Sequence, residues 1–424
     1  MSDFSSRLKN VFIKYGVTEG LKLLALYAVR SAEAALCPDA LFHSGRCRAL
    51  VARILRGDHE RVIVVRTSQG YNVPLFQRTQ QLARALPRYG CLVLFEAAPH
   101  RERVRCAEEI CRGLWLVNFR SRPFARMLDR AIEGTAVPRY LWLSSPERGV
   151  PVRTVRGYIA RGYRLVYDYI DEISAQISAS KTVPRETARL HDLAVRRGGA
   201  VILASSLALL RDAREKSCAE SVLAENGADC GYLSRPGPCP DDAVFRKVLS
   251  RRRPRLCYYG AIAAWLDYEA LDVLARDGRF DVVMIGPRYD AADTRMLENR
   301  ENVFFLGPRP YAQLKDYAAR CDVLLIPFKQ GALGDAASPV KLFEYMAIGR
   351  PVVAGDIAEC RRYDSVLIAR DARDYVRCAE FALRLGRSGR YLAREREEAL
   401  AADWSVRART VSDALRAGER ARGF

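Results

Sequence analysis

Between Ser338 and Ala354 the chain reads Ser-Pro-Val-Lys-Leu-Phe-Glu-Tyr-Met-Ala-Ile-Gly-Arg-Pro-Val-Val-Ala. A loop ending in Ser338-Pro339 leads into a helix, because Pro is favourable in a first helical turn. The free N–H groups there, at the positive end of the helix dipole, form an anion site. Lys341 adds a full charge beside it. Glu344, one turn further, can accept two hydrogen bonds from adjacent hydroxyls, as an acidic residue does with a nucleotide ribose. Gly349 closes the helix and Pro351–Ala354 begins a strand. Diphosphate at the helix start and ribose at the carboxylate describe a nucleoside-diphosphate pocket.

A second group of acids lies in Leu165-Val166-Tyr167-Asp168-Tyr169-Ile170-Asp171-Glu172, just past a short apolar run. Carboxylates at a strand end suit general-base work on a hydroxyl, and equally suit helix capping. Asp171, then Asp168, are the candidates. His100, after Ala97-Ala98-Pro99, is a further candidate base; Arg101, Arg103 and Arg105 beside it read as a solvated face, and Trp265 as a packing residue. The four His are not at metal-ligand spacing, and the 12 Cys include no Cys-x-x-Cys. No metal site is expected, and the cysteines read as free thiols of a reducing cytoplasm.

These residues need elements to hold them. Six short apolar runs alternate with amphipathic segments in the first half: Val62–Val65, Leu92–Phe95, Leu114–Val117, Tyr140–Leu143, Leu165–Tyr167 and Val201–Ala204. Six more follow: Leu256–Tyr259, Val282–Ile285, Val303–Leu306, Val323–Ile326, Pro351–Ala354 and Val366–Ile368. Continuous apolar strands alternating with helices predict parallel sheets covered on both faces. Three Pro between Pro236 and Pro240 cannot sustain helix or sheet and predict a hinge at 234–240. The expected organisation is a helical N-terminal extension (1–60), two Rossmann-like domains (61–235 and 254–395) and a C-terminal helix (396–424). The fold class is α/β, with two doubly wound parallel sheets facing a cleft. In the extension, Leu21, Leu24, Ala25 and Ala28 share a helical face, suited to packing on the first domain or to a membrane surface.

The chain has 424 residues, 49% apolar and 28% charged, with a net charge of +19. That composition excludes a disordered or fibrous chain, and the length suits two or three domains. The apolar run Leu23–Val29 is far short of the ~20 residues of a membrane span. Residues 1–10 are polar and carry no secretory signal. Only 9 of the 69 basic residues are Lys, and Arg is spread along the chain. Nothing resembles a nucleic-acid reader, so the charge implies no nucleic-acid partner.

The 338–354 stretch resembles the donor-binding signature of GT-B glycosyltransferases, family 4 or glycosyl transferases group 1. Tyr258-Tyr259-Gly260-Ala261-Ile262, Val283-Met284-Ile285-Gly286-Pro287, Val303-Phe304-Phe305-Leu306-Gly307-Pro308 and Asp322–Phe328 resemble successive strands of the family's donor domain. Phe76-Gln77-Arg78, Leu203–Ser206 and Glu225–Asp229 resemble parts of its acceptor domain. The resemblance implies that the 61–235 domain binds acceptor, that the 254–395 domain binds donor, and that Glu344 holds the ribose. It implies that Ser338, Pro339, Val340 and Lys341 frame the diphosphate, with Gly260 and Ala261 opposite. Arg288 would meet the leaving phosphate, and Leu306 and Gly307 would lie near the base. Many retaining members carry a Glu eight residues before the ribose Glu; Ala336 stands there, with Asp335 one place off. An inverting course would need the base sought among Asp171, Asp168 and His100.

The expected activity is transfer of a sugar from a UDP- or GDP-linked donor, without a metal, to a glycan or lipid-linked acceptor in bacterial surface polysaccharide synthesis. A sugar-nucleotide epimerase of the same fold is the alternative. A dehydrogenase is disfavoured, since no Gly-x-Gly-x-x-Gly follows Val62–Val65 or Leu256–Tyr259. Residues 101–164 hold 14 Arg against 6 acids, suited to a lipid diphosphate and to peripheral contact with the anionic inner face of the cell membrane.

Overall fold

The computed structural model describes residues 21–39, 43–73, 76–145, 149–173, 183–196, 201–217, 219–289, 292–331 and 338–420. The chain divides into two compact units. The first comprises residues 1–205, 209–224 and 408–424; the second comprises 206–208 and 225–407.

The first unit is built on an eight-stranded sheet: β1 (Arg61–Val65), β2 (Cys91–Glu96), β3 (Ala107–Cys111), β4 (Leu114–Val117), β5 (Arg139–Ser144), β6 (Arg164–Tyr169), β7 (Val201–Ala204) and β8 (Glu220–Leu223). Their order is β3-β4-β2-β1-β5-β6-β7-β8. All neighbours are parallel except β3, which runs antiparallel to β4. The six predicted strands are present. The two missed ones, β3 and β8, are the edges. Their sequences, Ala-Glu-Glu-Ile-Cys and Glu-Ser-Val-Leu, are half water-facing and lack the apolar run that marks a strand covered on both faces.

Helices cover that sheet by burying one stripe each. Phe124, Leu128 and Ile132 recur every four residues in the Arg122–Glu133 helix and are wholly buried. Each such side chain contributes roughly 1.5–3 kcal/mol on burial. The 21–36 helix also belongs here: Asn118 Nδ2 donates to Ala34 O at 2.8 Å, and Arg30 donates to His100 O at 3.2 Å. Most of its surface is nevertheless exposed, including Leu21, Leu23, Leu26, Tyr27, Val29 and Leu36.

The second unit carries a six-stranded, all-parallel sheet: β9 (Arg255–Tyr259), β10 (Asp281–Ile285), β11 (Val303–Gly307), β12 (Val323–Ile326), β13 (Val352–Gly355) and β14 (Val366–Ala369). Its order is β11-β10-β9-β12-β13-β14. All six match the predicted runs. β9, β10, β12 and β13 are buried almost throughout, as central strands between two helical layers must be.

The boundaries differ from the sequence expectation. The units part between Ala224 and Glu225, and 234–240 lies inside the second unit. The Pro-rich stretch is tied to the Tyr311–Ala318 helix and its C-terminal end. Gly237 N donates to Asp316, Arg320 donates to Gly237 O at 2.9 Å, and Lys315 Nζ donates to Arg235 O at 2.6 Å. The tail is two helices, Gly389–Ala401 and Trp404–Arg420, and residues 408–424 return to the first unit. There Arg61 grips both Glu419 oxygens at 3.0 and 3.1 Å, and Tyr140 donates to Glu419 at 2.8 Å.

Candidate nucleotide-sugar site

In the second unit, two loops at the carboxyl ends of β9 and β10 run side by side. Gly260 N donates to Ile285 O, Ile262 N to Pro287 O and Tyr289 N to Ile262 O, at 2.8–3.0 Å. Two glycines permit this approach. Gly260 and Gly286 both sit at φ +145°, where L side chains are strained. A Cβ on Gly286 would meet Gly260 O at 1.8 Å, and one on Gly260 would meet Lys341 Cε at 2.0 Å. The Lys341 side chain therefore lies directly over Gly260, with Ala261 next in the loop.

Lys341 is on the Val340–Ile348 helix, which Gly349 closes at φ +75°. The N-cap residue is Pro339, and among the described residues no side chain caps this end. The Ser338 hydroxyl is buried and has no hydrogen-bond partner among the described residues. Asn226 Nδ2 fixes the Ser338 carbonyl at 2.6 Å. An uncapped helix start, an unmet hydroxyl and a lysine thus meet over a glycine loop, a donor set that fits an anionic group. Burial pulls the Lys341 ammonium below its ordinary pKa, and the Glu344 carboxylate partly offsets this.

Glu344 is 5% exposed. Tyr259 Oη donates to its Oε2 and Tyr311 Oη to its Oε1, each at 2.8 Å. Burial raises the carboxyl pKa, while the two hydroxyls and Lys341 lower it. The sequence reading did not single out Tyr259 or Tyr311; Tyr259 closes β9 and Tyr311 opens the next helix but one after β10, positions that become neighbours only in the folded sheet. Arg288 pairs with Glu298 at 2.7 Å and its guanidinium stacks on the Phe305 ring at 3.9 Å. Leu306 is buried at the end of β11, and Gly307, at φ +71°, accepts from Gly286 N at 2.9 Å. Trp265 is 42% exposed, contrary to the expected packing role.

The candidate bases lie in the first unit. Asp168, near the end of β6, is wholly buried and accepts from Arg78 Nε at 2.9 Å. Burial raises its pKa against the pull of Arg78. This carboxylate has no exposed surface from which to meet a hydroxyl. Asp171 is half-buried on the following loop. Ser145 Oγ accepts from Ile170 N at 2.9 Å, and Ser205 Oγ donates to Ile170 O at 2.7 Å, so the loop is pinned to the ends of β5 and β7. Burial, then the nearby Asp168, pushes the Asp171 carboxyl up. His100 is exposed at the surface and sits against the Tyr27 ring at 5.9 Å; its partial desolvation and three nearby arginines lower its pKa. Arg101, Arg103 and Arg105 are exposed, as expected. Ala336 and Asp335 lie outside the described residues.

Gly260, Ala261, Arg288, Leu306, Gly307, Ser338, Pro339, Val340, Lys341 and Glu344 all fall within the stretch that matches the family model Glycosyl transferases group 1, residues 254–384. The chain is also similar to a curated protein of Bacillus subtilis (strain 168), the putative teichuronic acid biosynthesis glycosyltransferase TuaH. Identity is 26% over 204 residues, 46% of this chain and 51% of the relative. The matched part thus spans about half the length of that relative. Among solved structures, sucrose-phosphate synthase from Thermosynechococcus elongatus superposes with a TM-score of 0.62 at 15% identity, covering 86% of this chain and all of that one. Anabaena Alr3699/HepE in complex with UDP and glucose gives 0.55 at 15% identity, covering 85% and all of that chain. The chain has the GT-B fold.

Proposed function

We propose that this protein is a glycosyltransferase that moves a sugar from a nucleoside-diphosphate donor to a glycan or lipid-linked acceptor of a bacterial surface polysaccharide. The observation that carries the reading is the uncapped Val340–Ile348 helix, with Lys341 over Gly260 and Glu344 buried one turn on. The diphosphate sits at the helix start, where N–H dipoles, the Ser338 hydroxyl and Lys341 oppose its charge. The ribose hydroxyls replace or join the tyrosines on Glu344. As the bond to the sugar breaks, negative charge grows on the departing diphosphate, and preorganised donors stabilise that charge more than the ground state. Arg288 adds to this by turning from Glu298. These groups meet the charge without a metal, so EDTA leaves turnover unchanged.

Asp171 is the proposed base for an inverting course. Its raised pKa brings it closer to the range in which a carboxylate takes a proton efficiently. The donor nucleotide is proposed as UDP- or GDP-linked; Alr3699/HepE was solved with UDP. The teichuronic acid relative supports a surface polysaccharide as product. Among the described residues no helix is long and apolar enough to cross a membrane. The exposed apolar side chains of the 21–36 helix, with Arg101, Arg103, Arg105 and Arg120 nearby in the unit, suit peripheral contact with an anionic leaflet at the inner face of the cell membrane.

The test is acceptor-dependent release of nucleoside diphosphate from a panel of nucleotide sugars. Release that needs acceptor and disappears in Glu344→Ala with the fold intact supports the reading. Conversion of the donor without acceptor, or full turnover in Glu344→Ala, contradicts it.

A further inference from the structure

Three thiols of the first unit meet at one point. Cys37 Sγ lies 3.4 Å from Cys106 Sγ, and Cys47 Sγ lies 3.7 Å from Cys106 Sγ. They come from three elements: the residue after the 21–36 helix, the buried face of the Ser44–Ile54 helix, and the residue before β3. Cys37 stands at φ +32°, the one non-Gly residue with positive φ among those described. That turn costs backbone strain and goes with a thiol directed inward, which donates to Arg105 O at 3.0 Å. All three are buried, yet Cys37 also lines a hollow of about 510 Å3 with Arg30, Glu33, Asp39, Arg103 and Arg105.

We propose that Cys37 and Cys106 form a reversible disulfide, with Cys47 as the alternate partner of Cys106, fastening the 21–36 helix to the edge of the first sheet. The oxidant is a low-molecular-weight disulfide entering the hollow. Cys37, as thiolate, attacks one of its sulfurs, giving a mixed disulfide and one free small thiol. Cys106, as it gives up its proton, attacks Cys37 Sγ and expels the second small thiol. Two protein thiols are oxidised and one small disulfide is reduced to two thiols. Closing the 3.4 Å gap to a bond of about 2.05 Å needs a shift of little more than an ångström. Cys47 can then attack Cys106 Sγ, transferring the bond and releasing Cys37. Burial and the neighbouring thiols hold the Cys106 pKa up, which favours Cys37 as the point of entry.

The link spans residues 37 to 106, a long loop, and long loops constrain the unfolded chain most. It also bears on what the helix can do, since this is the element that exposes Leu21, Leu23, Leu26, Tyr27 and Val29.

The test is treatment of the full chain with oxidised glutathione, followed by alkylation and non-reducing peptide mapping. A Cys37–Cys106 linked peptide, with the loss of two hydrogens and reversal by dithiothreitol, is expected. Cys37→Ser moves the link to Cys47–Cys106. Hydrogen exchange over 21–36 slows on oxidation of the native chain and does not change in Cys106→Ala. Free Cys37 and Cys106 under conditions that consume the exposed Cys111 and Cys239 would overturn the proposal, as would recovery of the trio as a metal thiolate.

Discussion

Two buried carboxylates, one in each unit, are held by opposite kinds of partner. Asp168 in the first unit accepts from a guanidinium, Arg78, and is wholly enclosed. Glu344 in the second accepts from two neutral hydroxyls, Tyr259 and Tyr311. A guanidinium partner cancels the charge, and the pair becomes part of the core. Hydroxyls satisfy the hydrogen bonds without a direct ion pair, and Lys341 offsets the charge only through space, so Glu344 can exchange a tyrosine hydroxyl for a ligand hydroxyl at little cost. Burial alone therefore does not mark a functional acid; the charge state of its partner does.

Substitutions should separate the two. Asp168→Asn leaves Arg78 as a buried charge without its carboxylate, and breaking such a pair costs roughly 3–5 kcal/mol. Chemical denaturation of the first unit should show that loss, with nucleotide affinity unchanged. A drop in affinity with stability kept would reverse the roles assigned here. Glu344→Gln should do the opposite. It loses one or more hydrogen bonds to a charged acceptor, about 1.5–3 kcal/mol, or roughly 10- to 150-fold in nucleotide affinity. Its melting temperature should hold or rise, because a buried charge is removed.

The pH response sharpens the contrast within the second unit. Glu395, on the Gly389–Ala401 helix, is wholly buried and neither oxygen has a partner among the described residues. Burial, then Glu398, pushes its pKa up to about 8, and burial with Glu225 pushes Glu359 to about 7. Both are raised above the ordinary 4.5, so the folded state holds protons that the unfolded chain releases. Their contribution to stability is present below pH 4.5 and falls as pH rises to 7 and 8. Glu395→Gln should raise the free energy of unfolding at pH 8, by on the order of a few kcal/mol, and change it little at pH 5. Equal effects at both pH values would show that Glu395 does not titrate there.

The smallest effect is expected at the tyrosines. Tyr311→Phe removes a hydroxyl that lowers the Glu344 pKa, so that carboxyl is protonated at higher pH. Nucleotide affinity should then fade at a higher pH on the acid side than in the native chain. The acid limb staying in place would mean that Tyr311 does not tune Glu344.

Much of this was legible from residue order, and the gaps have physical causes. Among the described residues, twelve of the fourteen strands announce themselves as short apolar runs, most of them covered on both faces. The edges β3 and β8 do not, since polar residues such as Glu108, Glu109 and Glu220 suit a half-exposed strand. The donor motif was local, so Ser338, Lys341 and Glu344 could be found together. Tyr259 and Tyr311 could not, because their meeting with Glu344 depends on sheet order. The expected hinge failed for a related reason. Proline shows where regular structure stops, but whether a segment moves depends on what holds it, and Asp316, Lys315 and Arg320 hold this one.

The central claim is that the start of the Val340–Ile348 helix receives a nucleoside diphosphate. Isothermal titration of UDP, GDP, ADP and TDP into the native chain and into Gly260→Ala tests it most directly. In that variant the new Cβ takes the space of the Lys341 side chain, at 2.0 Å from Cε. Saturable binding of one diphosphate by the native chain, lost in Gly260→Ala while the melting curve keeps its cooperativity, is the predicted result. Equal binding by both chains, or none of the four by the native chain, would contradict the account.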